Sequence, residues 1–472
     1  MSIVIATTVG TRKETPRIWL QGLSLAKGEF NPNTRYNVSE KDGAIILTLA
    51  ENGERKVSSR GNSAPIIDLN NRAIGKVFPV GTKLHAIVRK GVITLRKIAI
   101  ARRALKRDRR ILDKIRTGEP LQTLSMFHGG GVMASAISRG FKSAGIKTEL
   151  SVVAEIEQKA LDASMRANAD LFTDRTMVIN APVQDLRFGH PRQVDIAELG
   201  LPCIGFSKSG KAKRHLSCAE EHPQGGALFF SALQWISAFN PAVIVMECTP
   251  ELIGDNSTSI GVIRSVLTNW KYDLFEMPAA AGNDWGALEN RKRAVIIAMS
   301  HDLAESGLFD LDQIIPVREK EESVADIMED LAEDDPRWRI YEYLERKEAS
   351  DKAAGKGFMR QLYTGEEEAI NTLTAGLWKI RSTDPQFKHP TKERYTRLPT
   401  AKEHGRCKGF PEGMIEAFGV AESVAHQIAG NSVIYPLFEA IGRALAVTLK
   451  RVSKATVHQI KPNTQPKMAL AV

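Results

Sequence analysis

The chain has 472 residues, 43% of them hydrophobic and 25% charged, which are the proportions of an ordinary globular protein with room for two or three domains. A net charge of +10 favours a polyanionic partner. Four cysteines with no Cys-x-x-Cys pair exclude a disulfide scaffold and point to a reducing compartment, and no stretch has the length of a membrane span or the form of a signal peptide, so a cytoplasmic protein with no membrane partner is expected.

Residues 1–98 are short alternating apolar segments broken by Gly, Pro and Asn, the pattern of strands and turns. They also repeat. Phe30, Thr34, Gly43, Ile45 and Leu47 recur 48 positions later as Phe78, Thr82, Gly91, Ile93 and Leu95, and Pro16–Leu20 is echoed by Pro65–Leu69. Each copy reads as a strand, a loop and a two-strand hairpin. One such unit is too small to bury both faces, so two copies are expected to pair into one small β-barrel.

Residues 99–120 change character. Arg102, Arg103, Lys106, Arg107, Arg109, Arg110, Lys114 and Arg116 surround Leu105, Ile111, Leu112 and Ile115, which predicts a helix with one weak buried stripe and a basic face. A solvated linker and a phosphate-contacting helix both fit that pattern.

From 121 to 300, apolar strand runs alternate with helical patterns, predicting a mostly parallel, doubly wound α/β domain. Leu124–Met126 is a strand running through Phe127 and His128 into a turn at Gly129, Gly130 and Gly131, the kind of turn that lets backbone approach a ligand before a helix starts. A second strand, Val152–Ala154, ends at Glu155 and Ile156, and a third ends at Asn180-Ala181-Pro182. Pro202-Cys203 then opens a Gly/Ser/Lys-rich stretch holding Ser207, Lys211 and Arg214, whose cations are suited to lowering a thiol pKa. A buried structural cysteine is the plainer reading. A zinc site from Cys203, His215, Cys218 and His222 is a weaker one, because a metal would stop this stretch from closing. The apolar run Pro241–Met246 reads as a buried strand ending in the single carboxylate Glu247, and Asn290-Arg291-Lys292-Arg293 follows.

Residues 301–404 combine an acidic run, Glu319 to Asp335, expected to form a solvated helix pair, with a basic stretch around Lys379, Arg381, Lys388, Lys392, Arg394 and Arg397. Gly409-Phe410-Pro411 and Gln427–Val433 follow, the latter containing Asn431. Leu437, Ala440, Ile441, Ala444 and Leu445 have the spacing of one helix face in a segment 405–455, and 456–472 reads as a mobile tail.

Taken in order over residues 120–450, these segments resemble the DNA cytosine-5 methyltransferase family: the glycine turn, Glu155, Pro202-Cys203, Glu247, the paired arginines, Gly409-Phe410-Pro411 and the Asn431 segment. The resemblance implies an S-adenosylmethionine-dependent methyltransferase domain (121–300 and 405–455) with an inserted target-recognition region at 301–404. It implies that Cys203 adds to carbon 6 of a flipped-out cytosine in double-stranded DNA, that Glu247 assists at ring nitrogen 3, and that Arg291 and Arg293 hold the base. Phe127, Gly129, Gly131, Glu155, Ile156, Asn180, Pro202 and Asn431 fall at cofactor positions, and Ser207, Lys211 and Arg214 near DNA. No metal is implied.

The chain departs from the family pattern at Ser125, where an acidic residue is usual, and at Asn180, Ile204, Cys248-Thr249 and Glu289, the last replacing a Gln. A decayed DNA-binding regulator and an RNA cytosine-5 methyltransferase are the alternatives. The N-terminal repeat resembles the AbrB-like, SymE-type swapped-hairpin fold. That implies a DNA-binding or dimerising module, a homodimer as one option, and a nucleoid-associated setting in a bacterium, phage or mobile element.

Overall fold

The computed structural model describes residues 1–60, 64–202, 228–254, 257–305, 309–357 and 359–459. The chain divides into two compact units, Met1–Leu105 and Lys106–Lys461.

In the first unit, β1 (Ile3–Thr8) and β2 (Gly10–Arg12) precede the two copies. The first copy is β3 (Thr15–Gln21), α1 (Leu23–Ala26), β4 (Arg35–Lys41) and β5 (Ala44–Leu49), followed by the short strands β6 (Arg55–Lys56) and β7 (Ser58–Arg60). The second is β8 (Ala64–Asn70), α2 (Arg72–Val77), β9 (Lys83–Arg89) and β10 (Val92–Lys97). Like elements of the two copies pair with each other. β3 lies antiparallel to β8 with Ile18 opposite Leu69 and Leu20 opposite Ile67, and β5 lies antiparallel to β10 with Leu47 opposite Ile93. Residues matched by the repeat do the same work. Phe30 and Phe78 are both fully buried, as are Leu47 and Leu95. Thr34 and Thr82 each donate to the carbonyl three residues back, Asn31 at 2.7 Å and Pro79 at 2.6 Å. Gly43 (φ 66°) and Gly91 (φ 70°) hold the left-handed turn positions of the two hairpins.

The expected barrel does not form. Among the described residues the strands make two open sheets, one of six strands in the order β1-β9-β10-β5-β4-β6 and one of four in the order β2-β3-β8-β7. The segment between strand and hairpin, expected as a loop, holds a helical turn in each copy, with Asn71 capping α2 by accepting from Ile74 N at 3.0 Å. These turns interrupt the ladder, so each copy divides its strands between the sheets.

α3 (Ala99–Thr117) is the basic helix, and its C-terminal half belongs to the second unit. Its cations there do not act as a plain solvated or phosphate-facing row. Arg107 is buried, lies over the Tyr272 ring at 3.6 Å and donates to Ser300 Oγ at 2.9 Å. Arg110 and Lys114 both pair with the buried Asp195, at 2.7 and 2.6 Å. The exposed cations Arg102, Lys106 and Arg109 lie at helical spacing on another face.

The second unit is built on a seven-stranded sheet in the order β13-β12-β11-β14-β15-β17-β16. β11 (Leu121–Met126), β12 (Thr148–Ala154), β13 (Met177–Ile179), β14 (Ile196–Gly200) and β15 (Val243–Cys248) run parallel. β16 (Tyr272–Ala281) and β17 (Lys292–Ser300) close the edge antiparallel. The order reverses between β11 and β14, the switch point at which such sheets open a crevice beyond the strand ends. α4 (Val132–Ser143) and the last helix cover one face, α6 (Leu228–Phe239) and α7 (Thr258–Asn269) the other, and α5 (Gln158–Ala167) follows β12. Among the described residues, no single helix is long and apolar enough to span a membrane.

The acidic run does not form a helix pair. After the short α8 (His301–Ala304) and a 3₁₀ turn at Leu311–Gln313, the run itself holds one 3₁₀ turn, Val324–Ile327, closed by a reciprocal Ser323–Asp326 cap. Val324 and Ile327 are buried in a small core with Leu288, Tyr363, Leu373 and Phe387, so tertiary burial overrides the charge pattern. α9 (Glu342–Ala353) and the small sheet of β18 (Gln361–Tyr363), β19 (Pro385–Lys388) and β20 (Thr396–Arg397) complete this region. α10 (Ala401–Cys407), α11 (Met414–Ala417), α12 (Glu422–Asn431) and α13 (Tyr435–Gln459) end the chain. Residues 456–459, expected in the tail, continue α13 to Gln459, and residues 460–472 lie outside the described set.

Candidate active site

The strand ends at the switch point gather most of the expected residues. After β11 the backbone turns through Phe127 (φ 56°), Gly129 (φ 57°) and Gly131 (φ 73°), and Gly131 is the N-cap of α4. A Cβ at Gly131 would stand 2.2 Å from Ser164 Oγ and 2.6 Å from Asn168 Nδ2, so both its conformation and its surroundings require glycine. Glu155, at the end of β12, ties this turn down. One carboxylate oxygen accepts from Gly129 N at 2.6 Å and the other from Glu157 N at 2.8 Å. Asn180 sends its side-chain amide to the carbonyls of Glu155 and Ile156, both at 2.9 Å. The Ile156 side chain is 60% exposed on this rim. Asn431 is the exposed last residue of α12, whose Ile428 packs against Gly130.

Beneath the turn lies a buried polar chain that spacing did not reveal. Ser125 Oγ meets His128 Nδ1 at 2.6 Å, His128 Nε2 meets Ser164 Oγ at 2.7 Å, and Asn168 Nδ2 donates to Ser164 Oγ at 3.1 Å. Burial pulls the His128 pKa down to about 3, so the ring is neutral. Ser125 stands directly opposite Glu198 in the β11–β14 register. Glu198 is 1% exposed, and neither of its carboxyl oxygens has a well-aligned hydrogen bond among the described residues. Burial pushes its pKa up to about 8, offset only in part by the neighbouring Ser125 hydroxyl. A buried carboxyl thus stands beside Ser125, supplied by the adjacent strand. The one signal in the sequence was a lone Glu inside the apolar strand Ile196–Gly200.

On the other side of the switch point, Glu247 on β15 is 6% exposed and forms an ion pair with Arg293 on β17, Nε to Oε1 2.7 Å, without the alignment of a hydrogen bond. Leu201 N donates to Glu247 O at 2.9 Å, which sets the described end of this segment, Leu201 and Pro202, beside Glu247. Arg291 is 5% exposed, with Nη1 3.8 Å from Glu289 Oε1. Cys203, Ser207, Lys211 and Arg214 lie outside the described residues, as do His215, Cys218 and His222 of the zinc reading.

The profile of the C-5 cytosine-specific DNA methylase family matches residues 121–446. Among curated proteins, the type II methyltransferase M.NlaX of Neisseria lactamica is 29% identical over 270 residues, covering 56% of this chain and 79% of that one. The type II methyltransferase M1.ScrFI of Lactococcus lactis subsp. cremoris is 28% identical, covering 55% of this chain and 64%, just under two thirds, of that one. Among solved structures, the S. pombe Dnmt2 methyltransferase superposes with a TM-score of 0.51 at 16% identity, over 71% of this chain and 99% of that one, a likeness of fold.

Proposed function

This chain belongs to the C-5 cytosine-specific DNA methylase family and is a DNA cytosine-5 methyltransferase, and we propose that Cys203 is its nucleophile and Glu247 its acid. The observation that carries this reading is the Glu247–Arg293 pair at 2.7 Å, with Leu201 N bonded to Glu247 O two residues before Cys203.

S-adenosylmethionine supplies an electrophilic methyl group on a sulfonium. The residues present fit it. Gly129, at φ 57°, has nothing within 4 Å of where a Cβ would stand, so backbone is open to a ligand there, and the Glu155 carboxylate and the Asn180 amide frame the same rim. Phe127, Gly129, Gly131, Glu155, Ile156, Asn180, Pro202 and Asn431 would hold it.

Carbon 5 of cytosine is a poor nucleophile. Addition of the Cys203 thiolate to carbon 6 makes the ring enamine-like and turns carbon 5 into an attacking atom. Glu247 donates at ring nitrogen 3 as charge builds there, and accepts from the exocyclic amine. Arg293 fixes the Glu247 carboxyl, and Arg291 takes the base's carbonyl oxygen. After transfer, water takes the carbon-5 proton, the electrons of that bond re-form the double bond between carbons 5 and 6, the Cys203 sulfur leaves as thiolate, and ring nitrogen 3 returns its proton to Glu247. The reaction demands a flipped-out base, with Ser207, Lys211 and Arg214 near phosphates.

The N-terminal unit is read as an AbrB-like swapped-hairpin module that binds duplex DNA. Strand-for-strand pairing of its two copies supports a module completed within one chain.

Bisulfite sequencing of host DNA expressing the protein is expected to reveal protected cytosines in one sequence context. Cys203→Ser removes them, and DNA carrying 5-fluorocytosine there traps the wild type covalently but not the variant. Glu247→Gln slows transfer by about 10²–10⁴-fold with cofactor binding retained. Full turnover by the Ser variant would remove Cys203 from the mechanism.

A further inference from the structure

Glu289 and Lys408 come from segments more than a hundred residues apart, and both are 0% exposed. Their side chains form a direct ion pair, Lys408 Nζ to Glu289 Oε2. The other Glu289 oxygen accepts from Leu373 N at 3.1 Å and faces Arg291 Nη1 at 3.8 Å. The backbone is joined at the same point. Glu289 N donates to Cys407 O at 3.0 Å, Arg291 N to Glu289 O at 2.8 Å, and Tyr435 N to Lys408 O at 3.1 Å. Three stretches of chain therefore meet on one carboxylate: the one leading into β17, the 370–373 turn, and the end of α10.

Such a pair is an expensive device for stability alone. Taking two charges out of water is costly, and an apolar pair of like volume commonly does as well. What a buried carboxylate adds is a directional hold on a neighbouring cation. The neighbour here is Arg291, two residues along and 5% exposed.

We propose that Glu289 and Lys408 are positioning residues for Arg291: Glu289 holds the guanidinium at the base, and Lys408 is the counter-charge that lets a carboxylate stay ionised where it is fully buried. This rests on the reading of Arg291 as the group that takes the base's carbonyl oxygen. The charged and titratable groups around Lys408 are Glu289, Arg291 and Arg293 on the β17 side and His404 and Cys407 on its own helix, with His426 of α12 meeting His404 Nδ1 to Nδ1 at 3.0 Å. The 370–373 segment brings backbone groups of Leu373, its N–H to Glu289 and a hydrogen bond to His404. Burial, with Arg291 and Arg293 adding to it, pulls the Lys408 ammonium down to about 7 against the opposing pull of Glu289. As pH rises the pair loses its positive member, and Glu289 turns from a balanced partner into an excess charge beside Arg291.

The test uses the full chain and steady-state methylation of duplex DNA, with folding followed by circular dichroism. Glu289→Gln and Lys408→Gln each unbalance the site and are expected to lower kcat by about tenfold or more with KM for DNA little changed, the mark of an interaction made at the reacting base. The double variant restores a neutral pair, so kcat should return to within about threefold of wild type, a non-additivity that independent effects do not give. Its pH profile should also lack the fall in kcat that the wild type shows on the alkaline side. If a single variant does not fold, the double variant's rate and pH profile decide. Single variants that keep wild-type kcat, a double variant that stays slow or unfolded, or a double variant that keeps the alkaline fall overturns the proposal. Arg291→Lys is measured beside them. A wild-type rate there overturns the reading of Arg291 itself, while a slow Arg291→Lys with normal Glu289 and Lys408 variants overturns only the positioning role.

Discussion

Glu198 is the residue whose chemistry departs furthest from what its position in an apolar strand suggests. A carboxyl with its folded pKa raised to about 8, from an ordinary 4.5, binds its proton more tightly folded than unfolded. Its contribution to stability is therefore present at pH below about 4.5 and is lost as pH rises towards 8. Glu198→Gln removes that loss. The variant should match the wild type near pH 4 and become more stable above it, by at most about 3 kcal/mol at pH 7. Urea unfolding across pH 4–8 would measure this. A wild type that gains stability over the same range would mean the carboxyl is ionised and paired. At this scale Glu155, Glu247 and the two arginines were legible because each ends or starts an apolar run. The Ser125–His128–Ser164 chain was not, because Ser164 lies 36 positions beyond His128 and meets it only through the fold.

The pairing of α4 with α13 is the clearest case at the level of elements. The three-and-four spacing of Leu437, Ala440, Ile441, Ala444 and Leu445 marks one buried face, and all five are buried. What the spacing does not express is how closely the helices approach. A Cβ at Gly140 would stand 2.2 Å from Glu439 O and 2.6 Å from Arg443 N, and one at Gly442 would stand 2.4 Å from Ile137 O. These contacts are backbone and cannot swing aside. Gly140→Ala gains up to about 1 kcal/mol in helix propensity. It should nonetheless be destabilised overall, by about 1–3 kcal/mol, because it forces two packed helices apart. Thermal unfolding would report it as a lowered Tm, and an unchanged or raised Tm would mean that the helices separate freely. The same lesson governs the acidic run, whose charge suggested exposed helices while Val324 and Ile327 bind it to a core.

For the whole molecule, α3 decides where the chain can be cut. Arg107, Arg110 and Lys114 are spent on Ser300 and Asp195, so deletion of residues 1–116 should destabilise the catalytic unit. Deletion of 1–98 leaves those contacts in place. It is expected to weaken DNA binding and flatten its dependence on salt, since fewer phosphates are neutralised, without changing the methylated sequence. Affinity at several salt concentrations and methylation maps for both truncations test this. An unchanged salt slope would make the N-terminal unit structural, and an altered target would move recognition into it.

The sequence by itself determined the order of strands and helices in the catalytic unit, the glycine turn, the strand-end carboxylates, the paired arginines and the internal repeat. Each of these is carried by local periodicity, or by residue types that only one backbone conformation or one chemistry accepts. The tertiary structure alone decided that the two copies pair into open sheets, that half of a basic helix is consumed in docking, and that the Glu198 carboxyl stands buried beside Ser125. It also decided that Glu289 is balanced by Lys408. The reason is common to all four: burial and pairing depend on which distant segments meet, and a charge shows its purpose only once its partner, far away in the chain, is beside it.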